Sequence, residues 1–296
     1  MQKRLLFIIN PVSGTKRANR FLTEMITRLS EEGYECTVQS TTPTYSAEHL
    51  AAKLSKDKDM VICVGGDGTL NETIKGCLTV GECTPPIGYI PAGSTNDFAN
   101  SLHLQQAPLC CLNEILEGAV HDIDVGTFNG RPFVYTASFG AFTKASYSAP
   151  REAKNNLGYL AYLLEGAKEL SDIKSYHLKL ITPEGIHEGD YIFGGVCNSK
   201  RLAGGVIRFR DDEVDLNDGL LEVFLVRYPQ NATEFMQLLL DLNAGKYTSP
   251  LIQFFSTNQL RVITSDNMDW TIDGEYQKGS NDINISVLPS ALKLQY

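Results

Sequence analysis

The stretch Met60-Val61-Ile62-Cys63-Val64 is apolar without interruption and runs straight into Gly65-Gly66-Asp67-Gly68-Thr69, after which a helical pattern begins at Leu70. A short apolar run with no alternation reads as a strand buried on both faces. Parallel strands need long crossover connections, usually helices, so this junction asks for a parallel sheet covered by helices. In such sheets ligands bind in the crevice beyond the carboxyl ends of the strands. Glycines there let the backbone approach a phosphate closely, and the amides of a helix N-terminus hold negative charge. Asp67 is the informative residue. A carboxylate beside a phosphate repels it, unless it holds Mg2+, directly or through water, or orients an acceptor group. Read alone, the string is equally a tight strand-to-helix turn in which Asp67 or Thr69 caps the helix.

The neighbouring chain has the same texture. Strands are expected at residues 4–9, 36–40, 60–64 and 87–90, with helices over 18–32, 47–56, 70–78 and 107–118. This is the alternation of a parallel α/β sheet. After Asp122 the pattern changes to strand-like segments at 132–138, 176–182, 191–197, 220–226 and 281–288, with turns at Phe128-Asn129-Gly130 and Pro183-Glu184-Gly185. A mostly antiparallel β-rich second domain is expected there, with helices at 157–170 and at 232–244, the latter N-capped by Asn231. The division falls near 120–130, giving an α/β nucleotide-binding domain over 1–125 and a β-rich domain over 126–288.

Two further strand exits share the glycine-loop grammar. Ile87-Gly88-Tyr89-Ile90 leads into Pro91-Ala92-Gly93-Ser94-Thr95-Asn96-Asp97-Phe98-Ala99, and the first strand leads into Asn10-Pro11-Val12-Ser13-Gly14, with Lys16 and Arg17 close by. Ser94 and Asn96 can bond phosphate or ribose, Asp97 adds a carboxylate, and the Asn10 loop offers backbone amides. Singly, each is an ordinary loop; three at one sheet edge read as a nucleotide cleft.

Composition narrows the partners. The net charge is -9, from 26 Lys and Arg against 35 Asp and Glu, which makes a poor general binder of nucleic acid. No run reaches the ~20 apolar residues of a membrane helix. The apolar start Leu5-Leu6-Phe7-Ile8-Ile9 ends at Asn10-Pro11 without a cleavage site, so it reads as a strand and not as a signal peptide. Seven cysteines, an odd number with no Cys-x-x-Cys spacing, point to thiols in a reducing cytoplasm. The five histidines have no metal-ligand spacing, and Asp211, Asp212, Glu213 and Asp215 do not reproduce an EF-hand loop. A Walker A string and the motif set of protein kinases are both missing.

Taken together, Asn10-Pro11-Val12-Ser13-Gly14, Gly65 to Glu72 (GGDGTLNE), Pro91 to Ala99 (PAGSTNDFA) and Asp273-Gly274-Glu275 resemble, in order and spacing, the diacylglycerol kinase catalytic domain family. That family includes bacterial soluble diacylglycerol kinases and the sphingosine and ceramide kinases. The resemblance covers essentially the whole chain. It implies transfer of the ATP γ-phosphate to a lipid hydroxyl, diacylglycerol by default, with Mg2+ required. It also implies that residues 289–296 return to the first domain.

By the same resemblance, nucleotide contacts fall to Gly65, Gly66, Asp67, Gly68, Thr69, Leu70, Asn71 and Ser94; the loops themselves add Asn10 and Asn96, with Glu72 and Asp97 in support. Thr41 joins them from its spacing before Ala47, although the Gly-Asp usual ahead of that Ala is absent. The family's Asp-Gly-Glu supplies the base that accepts the hydroxyl proton, so Asp273 and Glu275 are both candidates beside Asp67. Asp215, Asp218 and the carbonyl of Leu220 align with a family metal site. The chain departs from the family's second motif at Ala92 and Ser94, where Leu and Thr are more usual. The acceptor would be met at a membrane surface by a cytoplasmic protein resting transiently on its inner face. A homodimer is compatible with this.

Two other functions remain open from sequence. A kinase of a soluble acceptor such as NAD is disfavoured because Thr42-Pro43-Thr44 is followed by Tyr45 and not by Gly-Ser-Thr. A nucleotide-binding regulator without catalysis has no need of Asp67, Asp97, Asp273 and Glu275. Lys200-Arg201 and Arg208-Phe209-Arg210 are basic islands that read as solvated surface or as contacts to headgroups or phosphate. Tyr159-Leu160 and Tyr162-Leu163-Leu164 read as core, or as the lining of a lipid cleft.

Overall fold

The computed structural model describes residues 3–14, 20–81, 84–94, 96–140, 174–202, 207–210, 212–247, 249–266 and 268–296. The chain divides into two compact units, Met1–Val125 with Pro289–Tyr296, and Gly126–Leu288. The helix expected at 157–170, with its Tyr and Leu residues, lies outside the described residues, as do Lys16, Arg17, Thr95 and Asp211.

The first unit alternates β1 (Lys3–Ile9), α1 (Leu22–Glu31), β2 (Tyr34–Ser40), α2 (Ala47–Leu54), β3 (Met60–Gly65), α3 (Asp67–Leu78), β4 (Ile87–Pro91), α4 (Asp97–Ser101) and α5 (Pro108–Glu117), and β5 (Val120–Phe128) leads out of it. Strands β4, β3, β1 and β2 lie side by side in that order, all parallel. All six residues of β3 are buried, which is why its sequence shows no alternation. Helices supply one apolar stripe each: Met25 and Leu29 on α1, and Cys111, Leu112 and Ile115 on α5, packed against Leu5, Phe7, Ile62 and Val64. Pro108 opens α5 at a position where its missing N–H has no helical partner to lose.

The second unit contains β6 (Arg131–Phe133), β7 (Thr136–Gly140), β8 (Tyr176–Thr182), β9 (Gly185–Cys197), β10 (Arg201–Leu202), β11 (Ile207–Arg208), β12 (Leu221–Arg227), α6 (Ala232–Asn243), β13 (Ile252–Thr257), β14 (Gln259–Thr264), β15 (Trp270–Ile272), β16 (Glu275–Gln277) and the start of β17 (Asp282–Gln295). Its pairings are antiparallel throughout, in the order β16-β15-β7-β9-β8-β14-β17, with β12 joining β9 to β13. An α/β parallel segment followed by an antiparallel β-rich domain is the expected fold class.

Several details differ from expectation: the strand expected at 191–197 begins at Gly185, and β5 was not expected. The single strand expected over 132–138 is two strands, β6 and β7. The backbone N–H groups of Val134, Tyr135 and Thr136 donate to the Asp273 carboxylate, so the chain turns to present them there. The strand expected at 281–288 continues to Gln295, and its Leu294 pairs in parallel with Ile87 of β4 inside the first unit. Asn231 caps α6 as expected, accepting the N–H of Glu234 at 2.9 Å.

Candidate active site

Parallel order places the carboxyl ends of β4, β3, β1 and β2 along one edge, and the backbone ladder continues into the exits. Asn10 donates its N–H to Val64 (2.9 Å), Thr41 donates to Ile9 (2.9 Å) and Ala92 donates to Gly65 (2.6 Å). The Asn10 side-chain amide then donates to the Thr69 hydroxyl at 3.0 Å. Gly14 has φ +49, and a Cβ there would strike the carbonyl oxygen of Ala92. A Cβ on Gly93 would come within 2.6 Å of the Gly66 Cα. The three exits therefore interlock, and the glycines are required because backbone lies against backbone.

Asp67 has a task within this interlock that local reading did not anticipate. Helix α3 begins at Asp67, yet its N-cap, Gly66, offers no side-chain acceptor. The Asp67 carboxylate instead accepts the N–H of Asp97 (2.9 Å) and of Phe98 (3.1 Å), the opening residues of α4. Burial pushes its carboxyl up, while the N–H groups of Phe98 and Asp97 and its own backbone pull the other way. Asn96 takes φ +51, and its side chain clasps Gly93, accepting that residue's N–H at 2.9 Å and donating to its carbonyl at 3.2 Å. Asn96 thus shapes the turn from a buried position. Glu72 also serves the fold, accepting the N–H of Ala47 at the start of α2.

What remains presented at this edge is chemically specific. Gly68 and Ser94 are exposed, and a Cβ on Gly68 would meet open space. Asn71 is buried, and its amide oxygen has no hydrogen-bond partner among the described residues, a costly state for a buried acceptor. Leu70, expected among the nucleotide contacts, is 2% exposed and its N–H donates to the Gly66 carbonyl at 3.1 Å, so it serves the start of α3 instead. Sequence reading gave no role to Asp124, a fully buried carboxylate in β5 that accepts the N–H of Ser290 at 2.7 Å. The available signal was a charged residue in the otherwise apolar run Ile123-Asp124-Val125.

In the second unit, Asp273 and Gly274 both have positive φ (48° and 86°) between β15 and β16, the backbone of a type I′ hairpin turn. The Asp273 carboxylate accepts three backbone N–H groups, from Val134 at 3.0 Å, Tyr135 at 2.8 Å and Thr136 at 3.0 Å. Glu275 is different: its half-exposed side chain meets the Arg131 guanidinium at 3.0 Å. Asp215 and Asp218 are exposed, each accepting the N–H two residues on, from Asn217 at 3.1 Å and Leu220 at 2.9 Å. No group of three or more His, Cys, Asp or Glu is arranged to hold a metal among the described residues. Arg210 meets Asp212 and Glu213, and Arg201 lies opposite Arg208 across the β10–β11 ribbon.

Comparison with known proteins agrees with this architecture. Residues 4–128 match the diacylglycerol kinase catalytic domain, and residues 137–296 match the YegS C-terminal NAD kinase beta sandwich-like domain. A diacylglycerol kinase of Bacillus subtilis is 29% identical over 277 residues, covering 93% of this chain and 90% of its own length. A Staphylococcus aureus diacylglycerol kinase is 29% identical over 280 residues, covering 93% and 87%. A crystal structure of a diacylglycerol kinase from Bacillus anthracis superimposes with a TM-score of 0.77 at 21% identity, covering 100% of this chain and 97% of that one, which supports the fold. Among the described residues no helix is long and apolar enough to cross a membrane. The use of ATP comes with the kinase family. The chain therefore belongs to the diacylglycerol kinase catalytic domain family, with the YegS-type C-terminal domain, and is a lipid kinase.

Proposed function

We propose that the chain transfers the γ-phosphate of ATP to the hydroxyl of diacylglycerol, giving phosphatidic acid and ADP. The observation that carries this reading is the interlock of three strand exits around Gly65–Thr69, in a chain whose relatives of similar length are named diacylglycerol kinase. In this reading residues 1–125 and 289–296 bind nucleotide, and residues 126–288 carry the acceptor and metal functions. The backbone amides of Gly65, Gly66, Gly68 and Thr69 receive phosphate, while that of Leu70 closes the first turn of α3 on the Gly66 carbonyl. Asn10, Thr41, Asn71 and Ser94 supply polar side chains, and Asp67, Glu72, Asn96 and Asp97 hold the loops in place.

Phosphoryl transfer depends on positioning, charge neutralisation and a base for the hydroxyl proton. The acceptor oxygen bonds to the γ-phosphorus as the bond to the β,γ-bridging oxygen breaks and ADP leaves. We assign Glu275 as the proton acceptor. Its carboxylate is half-exposed and held by one arginine, whereas that of Asp273 is occupied by three backbone amides. Mg2+, when bound, supplies neutralisation of phosphate charge, and Asp215, Asp218 and Leu220 are the residues to hold an organising ion. A lipid acceptor together with an ATP donor supports transient contact with a membrane from the cytoplasmic side.

The test is transfer of labelled γ-phosphate from ATP, with and without Mg2+, to diacylglycerol in mixed micelles beside sphingosine, monoacylglycerol, phosphatidylglycerol and NAD. Label in diacylglycerol, removed by chelator, is the expected result. Label in a different lipid changes the acceptor, and label in NAD alone overturns the lipid reading.

A further inference from the structure

Glu275 and Gln277 lie two residues apart on β16 and share one face of that strand. Both meet one guanidinium: Arg131 Nη2 donates to Glu275 Oε2 at 3.0 Å, and Nη1 donates to Gln277 Oε1 at 2.9 Å. The Gln277 amide is itself oriented, because its Nε2 donates to the Lys278 carbonyl at 3.1 Å and so leaves Oε1 to the arginine. Arg131 opens β6 directly after Asn129 and Gly130, whose φ values of 48° and 81° make a tight turn out of β5. That turn is pinned in place. Asn129 donates its N–H to the Asn284 carbonyl and accepts the Asn284 N–H on its side chain, both at 2.8 Å. Among the described residues β6 pairs only with β5 and β16 only with β15, so the fork of Arg131 bridges two strands that the sheet does not join. At the carboxylate, Arg131 takes Oε2 and is the one side-chain partner of Glu275 among the described residues. Oε1 is left open.

We propose that Arg131 is a positioning residue for phosphoryl transfer, holding the Glu275 carboxylate by one oxygen so that the other meets the acceptor hydroxyl. This rests on the reading of Glu275 as the proton acceptor. A base works only within hydrogen-bond reach of the proton it takes, and a half-exposed glutamate left alone samples several rotamers. A planar guanidinium fork, itself anchored by Gln277, holds it in one. An ion pair at this exposure adds little to stability, so the worth of the network lies in orientation. In the step itself the acceptor O–H bond breaks and its proton bonds to Oε1. The acceptor oxygen bonds to the γ-phosphorus while the bridging oxygen leaves with ADP. Arg131 keeps its own protons throughout, since a guanidinium does not ionise in proteins.

The test is labelled-phosphate transfer to whichever acceptor takes label, in Arg131→Ala, Arg131→Lys and Glu275→Gln, singly and combined, with Tm as the control for folding. Arg131→Ala should lower kcat by about ten- to a hundredfold, with KM for ATP within about twofold, and leave Tm nearly unchanged. Arg131→Lys keeps the charge but loses the fork, so it should recover only part of the rate. In the Glu275→Gln background Arg131→Ala should cost less than about twofold, because residues that act as a unit are not additive. Guanidinium ion added to Arg131→Ala should restore part of kcat, which a purely structural role would not allow. Wild-type kcat in Arg131→Ala overturns the proposal. So does a loss of the same size in the Glu275→Gln background, which makes Arg131 a phosphate contact in its own right. A clear fall in Tm without guanidinium rescue makes the arginine structural and overturns it as well. Normal turnover in Glu275→Gln is a separate failure, since it removes the base itself and this proposal with it.

Discussion

Gly93 lies so close to Gly66 that a Cβ on Gly93 would stand 2.6 Å from the Gly66 Cα. The two loops are thereby held backbone to backbone, with no flexible side chain between them to yield.

Gly93→Ala should cost about 1–3 kcal/mol through overpacking, read as a lower urea midpoint, and should weaken ATP binding with it. Gly68→Ala, two residues further along the other loop, meets open space. It should keep or slightly raise Tm, because alanine favours helix over glycine by ~1 kcal/mol, while weakening ATP by blocking close approach of phosphate to the backbone. Equal losses of Tm in both variants would contradict the distinction.

Asp67 gives a pH signature. Burial raises its carboxyl in the folded chain, so the stability it contributes is fully present below the ordinary Asp value of ~3.9 and is lost as pH rises through the raised folded value. Urea unfolding of wild type and Asp67→Asn across the acid range should show the difference shifting in favour of wild type as pH falls. A pH-independent difference would argue against a buried, charged carboxylate at α4.

The two hairpin carboxylates should separate by readout. Asp273→Asn disturbs an acceptor of three backbone N–H groups and should lower Tm, at a cost of ~1–3 kcal/mol. Glu275→Gln, at a half-exposed ion pair, should leave Tm nearly unchanged and lower kcat by ~10²–10⁴. Normal turnover in Glu275→Gln would remove it as the base.

Asp215→Ala and Asp218→Ala test the metal assignment. Each should raise the Mg2+ concentration needed for half-maximal transfer, with little change in ATP affinity. An unchanged Mg2+ titration in both would count against a metal there.

Much of the first unit was legible in the chain. The uninterrupted apolar run of β3 and the glycines after it announced a buried parallel strand and its exit, because burial on both faces leaves an apolar run without alternation that shows in sequence. The same reading placed Asn10, Gly65 to Thr69 and Gly93 to Asn96 at one edge. The work done by Glu72, Asn96 and Asp67 was hidden, since their partners Ala47, Gly93 and Phe98 donate through the backbone, which carries no residue signature. For Glu72 and Asp67 those partners are also distant in sequence.

Periodicity, turn chemistry and the motif strings by themselves determined the fold class, the glycine loops and the family, because these are encoded in local residue choice. Tertiary structure alone decided which carboxylates are committed. Asp273 and Glu275 stand two residues apart in one hairpin. Only the return of Val134, Tyr135 and Thr136 to that turn separates a carboxylate filled by backbone amides from one left half-exposed beside Arg131. Local sequence sets backbone preference, but which groups a carboxylate meets depends on contacts between segments far apart in the chain.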